Sequence, residues 1–227
     1  MLFDTLLNDK ENYPHLAYLS KGDYELLLNT EDSFVVHFTK NGIYSVEISE
    51  NCGHEAFNQT VSFLKELGPT LIETTNKEIY SLLHGNFKNS YGCIQYCLGN
   101  VGISDEKLTL LKPDDLDFAI KNYSDADYLH KLFSNNQILG YYDNDELIGY
   151  ILRHVDGTLG ALYVIPDRRC NGFGSKITQA AVAYFNDPLA YSQVIDNNMA
   201  SIQMHVRMNA TKCSKKIYWM YNNGFSY

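Results

Sequence analysis

Several features that would place a chain in a familiar class are missing here. No Lys/Arg-rich run occurs in the 227 residues, and the formal net charge is −9. A nucleic-acid footprint needs clustered basic charge, so nucleic acid is not expected as a partner. No apolar run approaches the ~18 residues that span a bilayer. The first ten residues hold neither a basic leader nor a long apolar stretch. No membrane partner is expected, and a cytoplasmic setting is. The cysteines (Cys52, Cys93, Cys97, Cys170 and Cys213) are odd in number and form no disulfide framework. Cys93 and Cys97 lie four apart with no paired His/Cys motif, which speaks against a metal site. There is no Gly-Lys-Ser/Thr loop and no Rossmann fingerprint, so an ordinary nucleotide-binding protein is disfavoured.

What is present is ample core material. Hydrophobic residues make up 45% of the chain, and 18 tyrosines supply half-buried sites and cleft walls. The acidic balance favours cationic small substrates over anionic polymers. Residues 1–30 read as helical. Ser33–Phe38 and Ile43–Ile48 read as strands joined through Asn41-Gly42, a strong hairpin signal. Glu55–Leu67 reads as a helix closed by Gly68-Pro69, followed by a strand at Leu71–Thr75, a helix at Lys77–Leu83 and a strand at Cys93–Leu98. The polar stretch Gly99–Lys107 marks a junction, with a smaller α/β domain over 1–105 and a second domain over 106–227.

In the second domain, Leu108–Leu111 reads as a strand, and Pro113–Asn122 and Ala126–Ser134 as helices. Gln137–Tyr142 and Glu146–His154 form a hairpin across Asp143-Asn144-Asp145. Thr158–Ile165 is a strand, Ser175–Phe185 a helix, Ile202–Met208 an alternating strand and Lys212–Asn222 a final helix ended by Gly224. The expected class is α/β (α+β), a mixed, mostly antiparallel twisted sheet flanked by helices.

The densest chemical signal is Val164-Ile165-Pro166-Asp167-Arg168-Arg169-Cys170-Asn171-Gly172-Phe173-Gly174. An apolar strand feeds a Pro-containing turn, then Arg-x-x-Gly-x-Gly, and a helix starts at once. Successive backbone N–H groups and a helix N-terminus would then point at one spot, an anion cradle suited to a pyrophosphate. Glycine at 172 and 174 lets the backbone approach without a Cβ.

In order, the hairpin 138–154, the strand–Pro–x–x–Arg–x–x–Gly–x–Gly segment and Val206-Arg207-Met208-Asn209 with a following Tyr-bearing helix that closes on Gly224-Phe225 resemble the GNAT acyltransferase superfamily. The resemblance covers about 107–227 and is closest to the glycine N-acyltransferase branch. It implies transfer of an acetyl or other acyl group from coenzyme A to a primary amine of a small molecule or amino acid, by direct attack. It implies acetyl-CoA as cosubstrate. The cradle would be Arg169, Cys170, Asn171, Gly172, Phe173, Gly174 and Ser175. Leu162, Tyr163 and Val164 would pair with the cofactor arm as an added strand, and Asn209 would bond that arm.

The chemistry leaves gaps. An aliphatic ammonium with pKa ~10.4 costs about 4–5 kcal/mol to deprotonate at pH 7, so a base is wanted. Relatives in the superfamily often carry a Glu early on the fourth strand, where this chain has Thr158. His154 is the candidate base, with His205 facing the acceptor cleft as another and a water chain as a third option. Asp156 fits the Asp-Gly turn better. The usual proton donor to the leaving thiolate is a Tyr about seven residues after the Asn. Tyr218 (nine after Asn209) and Tyr221 are the candidates. Ending at Tyr227, the chain lacks the strands that usually follow, so the 1–105 domain or a second subunit, as in a homodimer, would complete the sheet. Residues 1–105 permit a decayed copy of the same fold. The competing reading is a CoA-binding regulatory module that has lost catalysis.

Overall fold

The computed structural model describes residues 1–123 and 125–222, which form two compact units. Unit 1 joins residues 1–95 to the segment from Cys213, and unit 2 runs from Tyr96 to Lys212. Along the chain unit 1 contains α1 (Leu2–Asn8), α2 (Pro14–Leu19), β1 (Tyr24–Asn29), β2 (Ser33–Phe38), β3 (Ile43–Ile48), α3 (His54–Leu67), β4 (Leu71–Thr74), α4 (Lys77–Leu83) and all but the last two residues of β5 (Asn89–Cys97). Unit 2 contains β6 (Leu108–Leu110), α5 (Leu116–Lys121), α6 (Ala126–Ser134), β7 (Ile138–Asp143), β8 (Glu146–Arg153), β9 (Leu159–Val164), α7 (Phe173–Phe185), β10 (Tyr191–Ile195) and α8 (Met199–Arg207). The last strand, β11 (Thr211–Tyr221), returns to unit 1. After its first two helices, each half runs three strands, helix, strand, helix, strand: α1 to β5 repeats as α5 to β11.

In unit 1 the strands lie in the order β1-β2-β3-β4-β11-β5. The neighbours β1/β2, β2/β3 and β4/β11 are antiparallel, while β3/β4 are parallel. Alternation along β2, β3 and β11 sends Phe34, Val36, Phe38, Ile43, Ile217 and Trp219 to one face, where Phe3, Leu16 and Leu19 of α1 and α2 cover them. Val35, Val46, Ile48 and Met220 face the other way, under Leu64, Ile79 and Leu83 of α3 and α4. The α1/α2 face also buries polar groups. Glu47 accepts hydrogen bonds from Thr75 N (2.5 Å) and Thr75 Oγ1 (2.7 Å), and burial pushes its carboxyl up to about 7. His15 is fully buried, and burial pushes its imidazole down to about 3.

Unit 2 is built on an antiparallel sheet, β6-β7-β8-β9, with α7 packed on β8 and β9 through Ile177, Ala180 and Ala181. The β7–β8 turn places Asn144 and Asp145 at φ 50° and 67°, the paired left-handed residues of a two-residue hairpin. Gly149 is required where β8 meets β9: a Cβ there would lie 2.3 Å from the Tyr163 carbonyl oxygen.

The mixed, mostly antiparallel α/β architecture agrees with the sequence reading. Four local expectations are corrected. Within 1–30, residues Tyr24–Asn29 form a strand, and β10 had no counterpart. Ile202–Met208, read as a strand, forms the end of α8: Ser201 and His205, and Met204 and Met208, are i,i+4 pairs on the inner side, whereas Val206, one of the apolar residues that suggested alternation, is 61% exposed. Lys212–Asn222, read as a helix, is β11, because Cys213, Ile217 and Trp219 share a buried face at period two. The expected terminator Gly224 and its neighbour Phe225 lie outside the described residues.

Candidate active site

The strand–turn–helix expected around the glycines is present. β9 ends at Val164, Pro166–Arg168 makes a single 3-10 turn, and α7 starts at Phe173. Cys170 (φ 62°) and Gly172 (φ 81°) are both left-handed, which turns the backbone between them. Asn171 Nδ2 donates to the Arg169 carbonyl (3.1 Å), and Arg169 Nε donates to the Val164 carbonyl (2.9 Å), tying the loop to the strand end. The Arg169 guanidinium also covers the Tyr163 ring, 5.3 Å from its centroid. Gly172 is the N-cap of α7, and no side chain caps that end, so the donors of the first turn stay oriented outwards. A Cβ on Gly172 would meet nothing within 4 Å, whereas one on Gly174 would lie 3.0 Å from the Met204 sulfur. Gly172 therefore faces open space at the loop, and Gly174 permits close packing of α8.

Behind the loop lies a cleft of about 450 Å³ within unit 2. Its walls are β9 (Leu159–Leu162), β10 (Ser192–Ile195) and α8 with its N-cap. β9 is the edge of its four-stranded sheet, and β10 runs beside it without joining that sheet. The register of β8 against β9 slips between Tyr150 and Leu152, and Ala161 there takes φ 46°. This bulge bends β9 at the cleft wall, at the steric cost of a left-handed alanine.

Two buried side chains meet in this wall. His205 Nε2 and Ser192 Oγ are 2.6 Å apart, and His205 Nδ1 donates to the Ser201 carbonyl (2.7 Å). The imidazole stacks on Tyr96, the first residue of unit 2, at 4.7 Å and 25°. Burial holds the imidazole below its ordinary pKa.

The expected site residues divide accordingly. Leu162 lines the cleft, Tyr163 and Val164 continue the same edge strand, and Arg169 through Ser175 form the loop and the start of α7. His154 lies outside the cleft lining: its Nδ1 shares a 3.0 Å hydrogen bond with the Tyr128 hydroxyl, and burial lowers its pKa. Asp156 accepts bonds from Thr158 N and Oγ1 (3.1 and 2.7 Å), the turn role expected of it. Asn209 does not end a strand. It follows α8 at φ 56°, the left-handed position that closes a helix. Tyr218 and Tyr221 do not stand on a helix. Both lie on β11 in unit 1, paired with Thr74 and Leu71, and Tyr218 stacks on Tyr80 at 4.6 Å.

The residue that leads from a strand into the following helix at the cleft is instead Asn198. It caps α8 by accepting from Ser201 N (3.1 Å) and lines the cleft. Seven residues on from Asn198 stands His205. The sequence reading missed Asn198, Ser192 and Ala161. Asn198 three residues before Ser201 was a helix-start signal, and the small pair Gly160-Ala161 inside a strand pattern was a bulge signal.

Residues 108–210 match the model of the acetyltransferase (GNAT) family. This segment belongs to the GNAT family. The GNAT domain spans β6 to α8, including the loop and the cleft, and associates the chain with acyl-CoA-dependent acyl transfer in general. A search of curated proteins finds no match. Among solved structures, the fold is similar to that of a Drosophila protein (15% identity, 96% of this chain and 86% of that one, TM-score 0.59). It is also similar to a GNAT-family acetyltransferase from Colwellia psychrerythraea (11%, 92% and 89%, 0.53) and a GCN5-related N-acetyltransferase from Kribbella flavida (10%, 93% and 94%, 0.53). At these identities the similarity concerns the fold. Among the described residues no cluster of metal ligands is found, and no helix is long and apolar enough to cross a membrane.

Proposed function

We propose that the GNAT domain transfers an acetyl group from acetyl-CoA to the primary amine of a small molecule or amino acid, by direct attack of the amine on the thioester. The observation that carries this reading is the loop at the end of an edge strand: left-handed Cys170 and Gly172, an uncapped helix start, and open space over Gly172. The backbone of Arg169 to Ser175 would hold the pyrophosphate, with Arg168, Arg169 and Lys176 adding positive charge around it. The β9 edge, Leu162 to Val164, would pair with the pantetheine arm along the cleft. Bound there, acetyl-CoA supplies an activated acyl carbon. The chain's own task is to orient it and to handle the protons of amine and thiolate. A CoA-binding module without catalysis is the second reading, favoured by Thr158 at the place where relatives often carry a Glu.

The test is calorimetric titration of acetyl-CoA into the full chain and into Gly172→Asp. The new side chain enters open space, so the fold should survive, while its carboxylate opposes the pyrophosphate. We expect micromolar binding by the native chain and a loss of at least tenfold in the variant. Equal binding by both refutes the loop assignment, and turnover with a panel of primary amines separates enzyme from module.

A further inference from the structure

The cleft has no charged wall: its lining is apolar or neutral polar, and among the described lining residues His205 is the one ionisable side chain. Geometry selects one tautomer of its neutral ring. A carbonyl oxygen only accepts, so the 2.7 Å contact with Ser201 O places the imidazole proton on Nδ1. Nε2 is then the acceptor of the 2.6 Å bond from the Ser192 hydroxyl. Tyr96, stacked on the ring, fixes its plane. The result is a hydroxyl at the cleft wall, backed by a base that is itself oriented by a third group. That is the arrangement by which a Ser–His pair moves a proton.

We propose that Ser192 and His205 are the proton relay of the acyl transfer, collecting a proton from the acceptor ammonium and returning it to the departing sulfur. The proposal rests on the N-acyltransferase reading above. In the first step Ser192 Oγ takes a proton from the ammonium as its own hydroxyl proton passes to His205 Nε2. The freed amine forms the C–N bond to the acyl carbon. As the C–S bond breaks, its electron pair leaves with sulfur. His205 then gives back the Nε2 proton through Ser192, and the thiolate becomes a thiol. The second amine proton leaves to solvent. A neutral imidazole is required at the start, and burial, which lowers its pKa, maintains it. The groups packed on the ring are Tyr96, Ser192 and Ser201, and burial also pushes the Tyr96 phenol up, so it stays neutral as well.

The experiment uses the full chain in two arms. In the first, long-range ¹H–¹⁵N spectra follow the His205 ring while acetyl-CoA and then CoA are added. The relay predicts that the Nε2 signal moves, and that it differs between thioester and free thiol. A His205 signal unmoved by acetyl-CoA, while the Gly172 amide responds, overturns the relay. In the second arm, Ser192→Ala and His205→Gln are assayed with acetyl-CoA and the amine panel. Each should lose ~10²–10⁴-fold in kcat, with the KM for acetyl-CoA within about threefold of native. The acid limb of the native pH profile should lie below pH 6.5 and vanish in His205→Gln. Unchanged kcat, or an acetyl adduct on Ser192 by mass spectrometry, overturns the relay and leaves the acyltransferase reading intact. Failure of acetyl-CoA to bind overturns that reading, and the relay with it.

Discussion

Replacing Glu47 by glutamine should stabilise unit 1 in alkali and leave its stability nearly unchanged near pH 4.5. Glu47 is 2% exposed and lies on the α1/α2 face of the sheet. Burial raises its carboxyl from 4.5 to about 7, against the opposing pull of the Thr75 donors and the Lys215 charge. The folded state therefore binds this proton more tightly than the unfolded chain. Its contribution is fully present below pH 4.5 and is lost as the pH rises through 7. A difference of about 2.5 units at 1.36 kcal/mol per unit comes to about 3 kcal/mol lost by pH 8. Glutamine keeps the shape, accepts from Thr75 N and can donate to Thr75 Oγ1, and it does not ionise. The chain has one tryptophan, Trp219, buried in this core, so its fluorescence during urea denaturation reports unit 1. We expect Glu47→Gln to exceed native stability by about 2–3 kcal/mol at pH 8 and to match it near pH 4.5. His15, whose pKa is lowered to about 3, costs stability below pH 6.5 in both proteins and cancels in the comparison. A difference that does not vary with pH, or a variant weaker than native at pH 8, refutes the argument.

Two further outcomes follow from close approaches around the loop. Gly149→Ala forces a Cβ to 2.3 Å from the Tyr163 carbonyl, so β9 must shift. We expect a loss on the order of 1–3 kcal/mol in unit 2 and weaker acetyl-CoA binding, read by circular dichroism melts and calorimetry. Cys170 is an exposed thiol inside the loop. Its alkylation by iodoacetamide, followed by peptide mass mapping, should slow several-fold when acetyl-CoA is present, and an unprotected Cys170 beside a bound ligand counts against the loop assignment.

Where a local rule decides, the chain was legible. Asn41-Gly42 and Asn144-Asp145 close their hairpins as expected, because few residues accept left-handed backbone. The strand–turn–helix around Arg169–Gly174 could be read because its Pro turn, its glycines and its helix start are contiguous in the chain. Illegibility began where elements are short or where burial contradicts composition. β10 carries the buried polar Ser192 among its inward positions, so no apolar pattern marks it. In α8 the apolar positions Ile202, Met204, Val206 and Met208 imitated strand alternation, although Val206 is exposed and the segment is helical.

The sequence by itself determined the class of the fold, the hairpins, and the strand, turn and helix around the glycines, since each depends on neighbours along the chain. Tertiary structure alone decided that β11 returns to unit 1, carrying Tyr218 and Tyr221 with it. It alone brought Ser192 and His205, thirteen residues apart on a strand and a helix, within 2.6 Å. Hydrogen bonds between separate elements depend on how those elements pack, and packing is settled by which apolar faces find each other, a quantity that no local pattern contains.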